Sequence, residues 1–131
     1  MASVIRRFEI DPFKALDYMV SRGALRSDPS SIAKFLFNTS ELNRRQLGRF
    51  LGDTRNGNLA RAFMDRFSWS NLSIDHSLRA LFMSLRLPGE AQPADQILDH
   101  FSVAWHAANE EFINFDLELA QNLITVLMSL S

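Results

Sequence analysis

The sequence contains no cysteine, and no Lys or Arg follows Arg86. Without cysteine there is no disulfide framework, no thiolate metal site and no cysteine nucleophile. No apolar run approaches the roughly 20 residues needed to span a bilayer. Arginines and acids interrupt the N-terminal segment where a signal peptide would carry an unbroken apolar centre. These absences point to a cytosolic protein with no transmembrane segment. Period-two alternation with β-branched and aromatic enrichment is also missing, which argues against strands. The chain has no P-loop, glycine-rich dinucleotide turn, nucleophile elbow or zinc-binding helix. No metal and no cofactor is therefore expected.

What remains is helical. The 131 residues are 47% hydrophobic and 22% charged, the proportions of an ordinary globular core. Folding a chain of this size removes about two-thirds of the unfolded surface from water, enough for stability without staples. Asp11-Pro12 opens a first helix, with Phe13, Leu16 and Val20 on its apolar stripe and Gly23 placed to end it. Asp28-Pro29 repeats the opening. A third helix starts after Asn43 and stops at Gly52, and a fourth runs from Leu59 through Phe67. A fifth is capped at Ser73. The sixth starts at Pro93, and the last, capped by Asp116, carries Leu117 to Leu127. The expected fold is all-α, one compact domain of about seven helices over residues 1–131.

Two surface patterns invite chemistry. His76, His100 and His106 lack metal-ligand spacing, and the interval between the last two puts them on different helix faces. Arg44, Arg45, Arg49, Arg55, Arg61 and Arg66 could follow phosphates. However, Asp53 and Asp65 intervene and net charge is only -1, so a solvated face is the better reading and no nucleic-acid partner is expected.

The informative stretch is Arg86-Leu87-Pro88-Gly89-Glu90-Ala91-Gln92, a short break between two helices. Pro-Gly suits the centre of a type II turn, in which proline fixes φ and glycine takes a positive φ. Such a turn would present Glu90 on a stiff projection. An ordinary helix–helix corner is the alternative, with Glu90 merely an acid near a helix start.

These seven residues match the first signature of Sec-seven domains residue for residue, with Asp95 three residues after it. Upstream, Ile32-Ala33-x-Phe35-Leu36, Leu47-Gly48-x-Phe50-Leu51-Gly52, Ala62-Phe63-Met64-Asp65-x-Phe67 and Leu78-Arg79-Ala80-Leu81-Phe82 follow the family's order. The chain thus resembles the N-terminal two-thirds of a Sec-seven domain, the elongated, orthogonal all-helical module that drives guanine-nucleotide exchange on Arf-type small GTPases.

The resemblance implies that Glu90 is the catalytic loop glutamate, entering the GTPase's nucleotide site to displace nucleotide and magnesium. It implies GTPase contacts from Arg86, Leu87, Pro88, Gly89, Ala91, Gln92 and Asp95, and from Leu119, Leu123, Val126 and Leu127 on the last helix. It also implies a cytoplasmic role in vesicle transport, with peripheral association at Golgi or endosomal membranes through other regions.

There are departures. Pro93-Ala94-Asp95-Gln96 stands where the family places Lys-Ile-Asp-Arg, and the polar run that follows the second-signature helix is not found. The expectation is a domain lacking its usual C-terminal part, with the last helix exposed and open to self-association. An inactive module that engages a partner without exchange is the competing reading.

Overall fold

The computed structural model describes residues 2–129, and among them all regular structure is helical. Eight α-helices follow in order: α1 (Ala2–Ile10), α2 (Pro12–Ser21), α3 (Pro29–Asn38), α4 (Arg44–Gly52), α5 (Gly57–Met64), α6 (Ile74–Ser84), α7 (Ala91–Asn109) and α8 (Leu117–Ser129). A 3₁₀ turn (Thr54–Asn56) joins α4 to α5.

Five starts carry the side-chain caps that satisfy otherwise orphaned amides. Asp11 accepts from Lys14 N–H, Asp28 from Ser31, Asn43 from Gln46, Ser73 from His76 and Asp116 from Leu119. Proline stands at the first positions of α2 and α3, where no intrahelical donor is required. Gly23, at φ +72°, ends α2 in the left-handed conformation.

Three sequence expectations need correction. An additional helix, α1, precedes Asp11. It has no cap signal, and its apolar face (Ile5, Phe8) is interrupted by Arg6 and Arg7, so periodicity alone hid it. The α5 helix stops at Met64 rather than Phe67. Phe67 instead lies in the following loop, stacked on Trp69 at 4.5 Å and edge-on to Phe37 at 4.9 Å. The α7 helix begins at Ala91, not Pro93, because a proline within the first turn forfeits no intrahelical bond. Gly52 is the last residue of α4, as expected. Its missing side chain makes room for Pro93, whose Cβ would lie 2.7 Å from an added Cβ.

The longest helix, α7, packs against α4, α5 and α8, while α3 lies on α5 and α1 on α2. The described buried apolar residues, Met19 apart, form one core, with Phe63, Leu81, Leu85, Ile97 and Phe101 fully enclosed. The loop between α5 and α6 is held by buried polar bonds. Asn109 donates to the Trp69 and Trp105 carbonyls, each at 2.9 Å, and accepts from the Asn71 amide at 2.7 Å. Asn71 itself is left-handed at φ 62°. Indole N–H groups complete the lock, Trp105 to Leu72 O and Trp69 to Met64 O.

Candidate functional site

The loop between α6 and α7 is built by its contact with α4. Leu85 leaves α6 in an extended conformation and is fully buried. Its neighbour Arg86 donates its backbone N–H to the Arg44 carbonyl at 3.0 Å. The Arg44 guanidinium in turn donates to the Phe82 carbonyl, so one residue of α4 grips both the end of α6 and the loop. Such close approach needs a helix surface without a side chain. An added Cβ at Gly48 would fall onto the Arg86 carbonyl oxygen and 3.0 Å from its carbon. Leu87 is half-buried against the core.

The expected type II turn is not formed. Gly89 does not have a positive φ, and nothing lies within 4 Å of a Cβ built on it. Stiffness here comes from docking the backbone on α4 rather than from a tight turn.

Glu90 is exposed, as expected, and stands at the N-cap of α7 in an extended conformation. Its side chain does not cap the helix and makes no ion pair or hydrogen bond to any described residue. The carboxylate is thus left free beside two clefts. One, of about 450 Å³, is walled by Phe13, Arg49 and Pro93. The other, of about 480 Å³, is walled by Arg45, Arg49 and Arg86. Arg49, Pro88 and Glu90 line both. The structure therefore brings Arg86, Leu87, Pro88, Gly89 and Glu90 into one projection, with Ala91 and Gln92 exposed on the first turn of α7 and Asp95 one turn on.

The residues of α8 form a separate surface. Leu119, Leu123 and Val126 are 45%, 39% and 53% exposed, and so make an apolar face open to solvent. Leu127 is half-buried, and Ala120 and Ile124 are enclosed. Helix α8 meets α7 through Gln121, whose amide donates to Ser102 Oγ at 3.4 Å. Asp95 borders a small cavity with Gln121 and Ile124, the nearest link between the two surfaces. No described cleft contains both Glu90 and the exposed leucines of α8.

The arginine stripe read from sequence divides. Arg55 is bidentate to Asp53, which holds that carboxyl below its ordinary range, and its guanidinium covers the Phe13 ring at 4.3 Å. Arg61 pairs with Asp65, while Arg45 and Arg49 face the loop. His76 is bound to Ser73 and His106 to the Phe115 carbonyl. Among the described residues, no three His, Asp or Glu side chains group to hold a metal ion. Sequence reasoning missed Arg44 and the steric role of Gly48 as the supports of the loop. The Leu47-Gly48-x-Phe50 pattern was the available signal.

The family model for the Sec7 domain matches residues 1–131. The chain belongs to the Sec7 domain family. Among curated proteins, this Sec7 domain chain is 35% identical over 106 residues to mouse cytohesin-4 and 34% identical over 111 residues to human cytohesin-2, matches that take in 79% and 83% of the chain. It spans only 27–28% of the length of those relatives. Among solved structures, the Sec7p catalytic domain superposes with a TM-score of 0.90 at 32% identity, over 98% of this chain and 72% of that one. A Sec7 domain bound to ARF1-GDP and complexed with brefeldin A superposes at 0.82 with 28% identity, over 93% and 65%. No described helix of this Sec7 domain is long and apolar enough to cross a membrane.

Proposed function

We propose that this chain promotes guanine-nucleotide exchange on an Arf-type small GTPase, with Glu90 as the group that enters the nucleotide site. The observation that carries the proposal is the free, exposed carboxylate of Glu90 on a backbone held to α4 by Arg44 and Gly48. A preorganised charge costs little to position at the moment it acts. Placed near a β-phosphate and its magnesium, it repels the phosphate and competes for the cations that bind it. Two like charges about 4 Å apart cost about 4 kcal/mol at an effective dielectric of 20, before salt screening. Each ~1.4 kcal/mol is tenfold in rate, so a fraction of that repulsion suffices for strong acceleration. No bond is made or broken. The activity is catalysed release, not enzymology in the bond-chemistry sense.

Arg86, Leu87, Pro88, Gly89, Ala91, Gln92 and Asp95 surround the glutamate and are positioned to touch the GTPase. The apolar face of Leu119, Leu123 and Val126, with Leu127 beneath, supplies the buried anchors in which interface energy concentrates. Left without a partner, the same face is where two copies would meet, so weak self-association at high concentration is expected. The place of action is the cytoplasm, peripheral to Golgi or endosomal membranes.

Linkage provides the test. A factor that weakens nucleotide binding must itself bind the nucleotide-free GTPase more tightly, by the same factor. Binding measured by calorimetry should be at least about tenfold tighter to the nucleotide-free form than to the GDP-loaded one. Equal affinity for both would overturn exchange and leave a module that engages its partner without releasing nucleotide.

A further inference from the structure

The second cleft beside Glu90 is lined by three arginines, of which the exchange reading uses only Arg86 and leaves Arg45 and Arg49 without a task. Arg45 and Arg49 stand four residues apart on one face of α4, which sets their Cβ atoms about 6 Å from each other. Arg86 is brought alongside by the bond from its amide to Arg44 O and by its carbonyl's seat on Gly48. All three are exposed, and none of their guanidinium groups makes an ion pair, side-chain hydrogen bond or ring contact with a described residue. Every other ion pair in the described chain joins an arginine to an acid close in sequence, yet here Glu90 borders the same cleft unpaired. Like charges held this close repel, and Glu90 is the one acid among the residues that line the cleft. A single carboxylate would offset one charge of the three. A phosphate group carrying two or more charges offsets most of them, and its oxygens match the forked geometry of guanidinium donors.

We infer that Arg45, Arg49 and Arg86 form a binding site for a multiply charged phosphate, either free or as the headgroup of a phosphorylated lipid. The site lies against Pro88 and Glu90, so an occupant there would share the projecting loop with any docked protein.

The test uses inorganic pyrophosphate in calorimetry at low salt, and co-sedimentation with phosphatidylcholine vesicles with and without a diphosphorylated inositol lipid. The Arg45→Ala/Arg49→Ala double variant should weaken binding about tenfold or more, as expected when two charge-assisted contacts are lost. An Arg26→Ala/Arg66→Ala control removes equal charge elsewhere and should stay within about twofold of the parent. Binding of pyrophosphate identifies free phosphate as a sufficient ligand, and binding only to the inositol-lipid vesicles identifies the headgroup. Should the double variant lose helical content, Arg49→Gln alone carries the comparison. Failure of both probes to bind, or equal loss in both double variants, would overturn the site.

Discussion

Replacing Gly48 by alanine sets two physical effects against each other. In a helix interior, alanine is favoured over glycine by about 1 kcal/mol, so propensity alone makes Gly48→Ala stabilising. The packing opposes this. The new Cβ would occupy the position of the Arg86 carbonyl oxygen, a backbone atom that cannot rotate away as a side-chain tip would. Forcing an extra methyl into such a contact costs about 1–3 kcal/mol. Displacing the loop also strains the 3.0 Å bond from Arg86 N–H to Arg44 O, worth about 0.5–1.5 kcal/mol. Repulsion and hydrogen-bond loss together outweigh propensity, leaving a net destabilisation of about 1–3 kcal/mol. For a chain of this length that lowers the thermal midpoint by roughly 3–15 °C.

Gly89→Ala is the internal control. Gly89 has open space and no positive φ, so its stability should change by less than about 0.5 kcal/mol. Urea and thermal unfolding followed by helical circular dichroism measure both. A Gly48→Ala protein as stable as its parent, or more so, would refute the docking of the loop on α4. The presentation of Glu90 would then need another cause.

Three further outcomes follow from the interior and from titration. Asn109→Ala removes the donor to Trp69 O and the acceptor of the Asn71 N–H that hold the α5–α6 loop, leaving that amide without its partner. Urea unfolding should show a loss of about 1–3 kcal/mol. Ser77 Oγ is enclosed with no hydrogen-bond partner among the described atoms. Ser77→Ala should therefore be neutral or stabilising in the same assay. Burial, and then the nearby Arg61 charge, push the His100 pKa below its ordinary 6.5. Its stabilising contribution is full above pH 6.5 and is lost as pH falls through the depressed folded value. The decline in urea midpoint below pH 6.5 should be shallower in His100→Asn than in the parent.

Much of the architecture is legible locally because caps and breaks are local chemistry. Asp11, Asp28, Asn43, Ser73 and Asp116 each precede a helix in sequence and each caps one in the fold. The first helix escaped because a single residue separates it from the next and no cap announces it. The motif around Glu90 was recognisable, but the reason it projects was not. Pro-Gly suggested a tight turn, whereas the loop is extended and held by Arg44 and Gly48, some 40 residues earlier in the chain. Contacts that distant leave no periodic trace. The same holds for the arginines. As a stripe they read as one solvated face, yet Arg55 and Arg61 are paired while Arg45 and Arg49 converge with Arg86.

The central claim is that Glu90 acts as a free charge on a rigid support, and nucleotide release tests it most directly. An Arf-type GTPase loaded with a fluorescent guanine nucleotide would be mixed with rising concentrations of the protein, and with the Glu90→Lys variant at each concentration. Glu90 is exposed and unpaired, so the variant should keep parental stability to within about 0.5 kcal/mol. The account predicts release that accelerates with the parent's concentration and stays at the spontaneous rate with Glu90→Lys. Equal acceleration by parent and folded variant would contradict it, as would no acceleration by the parent under conditions where it binds the GTPase.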